Sequence, residues 1–151
     1  MTIKNLTWED ALWVSVADYA STCSWRAGAL LAKLMKEHHF TDWERVFVAL
    51  LEDAIAGFCV LTKTDCIPNL PYTPYISFIF VGEPYRGQSV SKALCFSALE
   101  YAKSLGFDKV YLISDHIGLY EKYGFVAIVH KREPWGTMQT IYMRHTGVIL
   151  Q

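Results

Sequence analysis

An apolar run from Tyr75 to Val81, followed closely by an Arg-Gly turn and a long amphipathic helix, constrains this chain more than any other feature. The link reads Val81-Gly82-Glu83-Pro84-Tyr85-Arg86-Gly87-Gln88-Ser89-Val90-Ser91. The continuous apolar character of Ile76, Phe78, Ile79, Phe80 and Val81 predicts a central strand buried on both faces. A helix leaving such a strand and feeding another demands a right-handed crossover that sets two strands parallel. The helix start is also a place to hold phosphate. Its first N–H groups have no internal partner and sit at the positive end of the helix dipole. An anion there gains roughly 0.3–1 kcal/mol from the dipole alone, and Arg86 adds a planar, always-charged fork of donors.

The rest of the chain supplies the partners for that unit. Thr7 to Cys23 predicts a first helix, capped by Thr7, with Glu9 and Asp10 in the first turn and Trp13, Val14, Ala17 and Ala20 at helical spacing. Ser24 is the expected cap of a second helix that carries Leu30, Leu31, Leu34 and Met35 and stops near His38-His39. Arg45 to Leu51 and Ile55 to Lys63 read as an antiparallel hairpin around Glu52-Asp53. Asp65 to Thr73, punctuated by Pro68, Pro71 and then Pro74, is a loop. The long helix runs from Gln88 to Leu105, with Val90, Leu94, Ala98, Tyr101 and Leu105 on one stripe and Gly106 as its C-cap. Val110 to Ser114 is a short buried strand. Gly118 to Lys122 is a short helix ended by Gly124. Phe125 to Val129 and Thr137 to Arg144 are the last strands, around a Pro134-Trp135-Gly136 turn. The fold class is α+β (mixed α/β), in one domain over residues 1–151.

Composition narrows the function. An apolar fraction of 52% suits a single core, and a net charge of −1 excludes a general nucleic-acid or membrane-surface binder. Met1-Thr2-Ile3-Lys4-Asn5 lacks a signal-peptide core, and no apolar run is long enough to span a bilayer. A soluble, cytoplasmic protein with reduced thiols is expected, because Cys23, Cys59, Cys66 and Cys95 show no CxxC spacing. Cys95, on the long helix, is expected to be inert. Cys66, in the loop, is the candidate reactive thiol. His38-His39 has no third ligand at useful spacing, so no metal site is expected.

Two blocks together resemble the GNAT family of N-acetyltransferases. The first is Ile79-Phe80-Val81 followed by Pro84-Tyr85-Arg86-Gly87 and the long helix. The second is Leu119-Tyr120-Glu121-Lys122-Tyr123-Gly124-Phe125, a short helix ending in Gly-Phe. The resemblance covers roughly Arg45 to Arg144. It implies a mixed, mostly antiparallel sheet with a splayed parallel pair, flanked by helices. It implies acetyl-CoA (coenzyme A) as cofactor, held by Ile79, Phe80, Val81, Tyr85, Arg86, Gly87, Gln88, Ser89, Val90, Ser91 and Tyr120. A backbone N–H in the Phe80 to Val81 region would bond the thioester carbonyl, and the pantetheine arm would lie along the strand like an added strand. The acceptor is a primary amine of a small molecule or peptide, attacked directly in a ternary complex. The resemblance also suggests a homodimer through the last strands. One departure stands out: the family's two small positions, usually glycine, are Ser89 and Ser91. Serine fits the dihedrals of a first helical turn, and its hydroxyl either donates to the phosphate or crowds it.

Transfer from a thioester to an amine needs a neutral amine, a donor for the oxyanion and a proton for the leaving thiolate. By resemblance Tyr120 is the acid. A phenol near pKa 10 protonates a thiolate formed from a thiol near 8.5 only with some local tuning. The alternative is that Tyr120 packs beneath the coenzyme. Tyr123 is read as core. The base is open among Asp115, His116 and Glu83. Asp115 and His116 also suit a role as loop residues capping the short helix, and Glu83 a solvated one. Trp25, Arg26, Tyr72, Tyr75 and Trp135 frame the acceptor or, equally, close the core. The rival reading is a non-catalytic acetyl-CoA or acyl-CoA sensor with the same fold.

Overall fold

The computed structural model describes residues 1–147. In chain order its elements are β1 (Thr2–Leu6), α1 (Leu12–Thr22), α2 (Ala27–Lys36), β2 (Arg45–Leu51), β3 (Ala54–Thr62), β4 (Tyr75–Val81), α3 (Val90–Ser104), β5 (Lys109–Ser114), β6 (Val126–Arg132) and β7 (Met138–His145). Short 3₁₀ turns occupy Glu83–Tyr85 and Tyr120–Tyr123. The strands form one sheet in the order β1-β2-β3-β4-β5-β7-β6. Every neighbouring pair is antiparallel except β4 and β5, the pair joined by the α3 crossover.

Both faces of the sheet are covered, and the alternation within β2 and β3 shows how. Phe47, Ala49, Cys59 and Leu61 pack with Leu94, Ala98 and Leu99 of α3. Val46, Val48, Phe58 and Val60 pack with Val16 of α1 and Leu31 and Met35 of α2. Successive strand residues point to opposite faces, so a strand between two helical layers has no polar side. Burying one such leucine contributes roughly 1.5–3 kcal/mol, which fixes each helix on its own face. Glu52 and Asp53 turn the β2–β3 hairpin with φ of 50° and 65°, the paired positive dihedrals of a two-residue turn matched to strand twist.

Several boundaries depart from the sequence reading. β1 was not expected, because only Leu6 of its five residues is buried; it is held by its backbone ladder to β2. α1 begins at Leu12 rather than Thr7. The Thr7 N–H instead donates to Asp10 Oδ2 at 2.8 Å, which closes a separate turn. Val14 is exposed, and Trp13, Val16, Ala17 and Ala20 carry the buried face. Ser24 does not cap α2, which starts at Ala27 after Arg26 in helical conformation. Leu105 lies beyond the end of α3 and is exposed. β6, an edge strand, runs on to Arg132, and Val126 and Ile128 stand exposed on it.

Two irregularities in β4 shape the site. β4 and β5 share one paired position, Tyr75 with Tyr111, next to a hydrogen bond from the Tyr111 N–H to the Pro74 carbonyl at 2.9 Å. Beyond it the two parallel strands diverge. On the other side, β3 pairs Val60 with Ser77 and Phe58 with Phe80, so the register shifts and takes Phe78 and Ile79 out of the ladder. Phe78 has φ +52°, a bulge conformation that side chains other than glycine adopt at a cost.

Candidate active site

Two cavities open where β4 and β5 separate. One, about 910 Å³, runs from the divergence to the start of α3 and is lined by Ile79, Phe80, Val81, Glu83, Tyr85, Arg86, Gly87, Ser89, Val90, Ser91 and Tyr120 among others. The other, about 460 Å³, lies on the α1–α2 side and is lined by Leu30 of α2, Asp65 and Cys66 of the proline-rich loop, Ser77 and Phe78 of β4, and Asp115, Glu133 and Trp135. Trp25, Ile79, His116 and Tyr120 line both. The indole of Trp25 stacks on Phe80, with centroids 6.0 Å apart and an interplanar angle of 2°.

The turn before α3 is built for close backbone approach. Gly87 has φ +81° with open space where a Cβ would be. Ser89 corrects the expectation from sequence: it has φ +62° and ψ +27°, left-handed rather than first-turn dihedrals, and its hydroxyl makes no capping bond. That conformation favours glycine. Ser91 is within hydrogen-bond distance of the Tyr123 hydroxyl, at 2.7 Å. Tyr123, read from sequence as core, is buried and also lines the larger cavity. The Arg86 Nε–H donates to the Val81 carbonyl at 3.1 Å, and its guanidinium lies 5.9 Å from the Phe80 ring centroid. Lys122, not singled out from sequence, is a second cation on this wall. Gln88 lines neither cavity; its side-chain amide reaches back to the Pro84 carbonyl at 3.5 Å.

Tyr120 is buried, and burial pushes its phenol well above the ordinary tyrosine value, with Cys95 and Tyr123 adding to the rise. This is the opposite of the tuning that would match it to a thiol. Among the described residues its hydroxyl has no protein hydrogen-bond partner. His116 is exposed, yet its backbone is fixed from two sides. Its N–H donates to Ser114 Oγ at 3.0 Å, and its carbonyl accepts from the Tyr142 hydroxyl at 2.8 Å. Asp115 lines only the smaller cavity and Glu83 only the larger. Neither Asp115 nor His116 caps the following turn, whose Gly118 N–H is taken by the Glu121 carboxylate at 3.0 Å.

Not every expected acceptor residue lies at the site. Arg26 is exposed and lines neither cavity, and Tyr72 stacks on Tyr111 at 4.7 Å, also outside both. Tyr75 is 2% exposed and packs against Tyr111 rather than forming cavity wall. Cys66 is a correction as well. The residue is exposed, but desolvation of its thiol, with the negative charges of Asp65 and Glu133, pushes it up to about 12, which disfavours the thiolate at neutral pH. Burial likewise holds Cys95 up to about 12.

The family model described as the Acetyltransferase (GNAT) family matches residues 5–125. The chain belongs to the GNAT acetyltransferase family. Solved GNAT-fold structures agree over nearly the whole chain. An aminoglycoside 6'-N-acetyltransferase complexed with coenzyme A is 15% identical with a TM-score of 0.72, covering 100% of this chain and 99% of that one. A spermidine N-acetyltransferase chimera from Vibrio cholerae and hSSAT is 18% identical with a TM-score of 0.70, covering 97% of each. A GNAT family acetyltransferase from Elizabethkingia anophelis with acetyl-CoA bound is 17% identical with a TM-score of 0.66, covering 95% of this chain and 97% of that one. No curated protein matches the sequence significantly.

The GNAT cofactor, coenzyme A in its acetylated form, fits the residues present. The larger cavity joins an unpaired strand edge on β4, suited to an amide-bearing arm, to a glycine turn and the start of α3, suited to phosphate. Arg86 and Lys122 supply positive charge along the same wall. Among the described residues no helix is long and apolar enough to cross a membrane.

Proposed function

We propose that this GNAT protein transfers the acetyl group of acetyl-CoA to a primary amine of a small molecule, by direct attack in a ternary complex. The observation that carries the reading is the meeting of two cavities at Trp25, Ile79, His116 and Tyr120. A coenzyme in the larger cavity and an amine in the smaller one would face each other there. When bound, the coenzyme supplies an activated thioester. The chain supplies the rest. Backbone N–H groups at the Phe78–Ile79 bulge, freed from the β3 ladder, are donors for the acetyl carbonyl. Tyr120, held neutral, donates a hydrogen bond to the sulfur. His116 borders both cavities on a fixed backbone, and an imidazole nitrogen is a proton acceptor, so it takes the proton of the attacking amine. Neither Asp115 nor Glu83 borders both cavities. A lysine-like amine costs about 4.6 kcal/mol to deprotonate at pH 7 and an α-amine about 1, so the base matters most for alkylamines.

The test is a thermal-unfolding scan with acetyl-CoA and with CoA, followed by thiol release with a panel of amines. Saturation at about a hundred times Kd adds about 2.7 kcal/mol, roughly 5–10 °C for a domain of this size. No shift with either ligand overturns the coenzyme site. A shift without thiol release from any amine makes the protein a sensor.

A further inference from the structure

Where Ser91 and Tyr123 join α3 to the 3₁₀ turn, the wall of the larger cavity gathers positive charge that Arg86 does not account for. Lys122, next to Tyr123, lines the cavity. Lys92, next to Ser91, is exposed in the first turn of α3. Arg144 comes from β7, two places beyond β4 in the sheet. Its guanidinium lies 5.0 Å from the Phe96 ring centroid, and the Lys92 Nζ lies 5.9 Å from the same centroid. One half-buried ring thus holds a cation from α3 and a cation from β7 together.

Gly124, one residue after Tyr123, ties this group to the cavity. A Cβ there would stand 2.6 Å from Arg144 Nε. The missing side chain is what lets the guanidinium lie against the turn that carries Lys122. Among the described residues none of the three cations belongs to an ion pair; the pairs are Lys33–Glu37, Lys36–Asp18 and Lys63–Asp42. The carboxylate nearest along the chain, Glu121, accepts the Gly118 N–H at 3.0 Å. Like charges brought together without a counter-ion repel one another, and an anion relieves that cost.

The chemistry of the cofactor supplies such an anion. Coenzyme A has two phosphate centres, a pyrophosphate and, one ribose away, a 3′-phosphate. Arg86 and the glycine turn suit the first. The second is a monoester with about −1.5 to −2 charge at pH 7 and three strong acceptor oxygens. From Ser89, at the turn, to Lys92 is three residues, about 4.5 Å of helix rise, so the two phosphate centres have separate sets of donors on one wall. We propose that Lys92, Lys122 and Arg144 form a subsite for the 3′-phosphate of coenzyme A. The lysines act as point charges and Arg144 as a planar fork of donors. This inference rests on the coenzyme reading of the larger cavity and requires no turnover.

The experiment is calorimetric titration with CoA and with dephospho-CoA, which lacks only the 3′-phosphate, in wild type, Lys92→Gln, Lys122→Gln, Arg144→Gln and Arg86→Ala. Wild type binds CoA at least about tenfold tighter than dephospho-CoA. That ratio falls in each of the three glutamine variants, whereas Arg86→Ala weakens both ligands and keeps the ratio. The wild-type ratio also shrinks between about 0.1 and about 1 M salt, as the Debye length falls from about 10 to about 3 Å; a purely structural role for the cations would not produce this. Lys92 and Lys122 are exposed, so their variants decide the matter if Arg144→Gln fails to fold. Equal affinities in wild type, or a ratio unchanged in the variants that fold, overturn the subsite and leave the coenzyme site standing. Binding of neither ligand overturns both. Adenosine 3′,5′-bisphosphate competes with CoA and inorganic phosphate at the same concentration does not; equal competition by inorganic phosphate would make this a site for free phosphate and overturn the assignment.

Discussion

The hydroxyls of Ser91 and Tyr123 meet at 2.7 Å across the floor of the larger cavity. This contact ties the first turn of α3 to the 3₁₀ turn that carries Tyr120. A serine at a position where the family usually has glycine thus gains a structural partner within the protein. Tyr123→Phe should lower stability by about 0.5–1.5 kcal/mol, read as a fall in Tm. It should also change coenzyme affinity, because it frees the Ser91 hydroxyl to face the phosphate. Unchanged Tm and affinity together would show that the contact contributes nothing.

Ser89 holds a left-handed conformation that glycine adopts without penalty. Ser89→Gly removes strain on the order of 1 kcal/mol, against the greater freedom glycine has in the unfolded chain. The expected outcome is a Tm equal to or a few degrees above wild type, together with tighter coenzyme binding. A clear loss of stability would mean that the serine side chain makes a contact worth more than the strain.

Arg86→Ala tests the phosphate wall. The guanidinium donates to the Val81 carbonyl through Nε, and among the described residues its terminal nitrogens make no hydrogen bond. Coenzyme affinity should fall by about 1.5–3 kcal/mol if those nitrogens bond phosphate. Binding measured calorimetrically at wild-type strength would remove the residue from the site.

Tyr120→Phe should lower kcat by roughly ten- to a hundredfold while leaving coenzyme affinity within about twofold. Because burial raises the phenol above its ordinary value, the wild-type rate should show no loss from Tyr120 ionisation up to about pH 10. A wild-type kcat in the phenylalanine variant would reduce the residue to packing.

Asp65 gives a pH signature. Its folded pKa, about 6, lies above the ordinary aspartate value, so the folded state binds the proton more tightly than the unfolded chain does. The contribution of this group to stability is therefore most favourable below pH 4 and is lost as pH rises through 6. Desolvation is the main cause, Glu133 adds to the cost of the charge, and the hydrogen bonds from Cys66 offset part of it. Asp65→Asn should raise Tm at pH 7.5, with the gap narrowing as pH falls through 6 and closing only below pH 4. A gap that widens on acidification would contradict the assignment.

The sequence by itself determined the strand-turn-helix unit from Tyr75 into α3 and the hairpin around Glu52-Asp53. These follow from local rules: apolar runs, helical spacing and turn residues act over a few positions. Local rules failed where the backbone alone decides. β1 has no alternating pattern because its ladder to β2, rather than its side chains, holds it. Ser89 looked compatible with a helical turn, and only the closed path from Arg86 into α3 set its φ positive. The smaller cavity was illegible for another reason. Asp65 and Glu133 come from a loop and a distant turn, neither with a motif, and they meet only after β4 and β5 diverge and the β6–β7 turn folds over the gap. Desolvation then set their chemistry, as it set that of Tyr120 and the Cys66 thiol. The desolvation of a titratable group belongs to its surroundings in space, and no spacing along the chain encodes it.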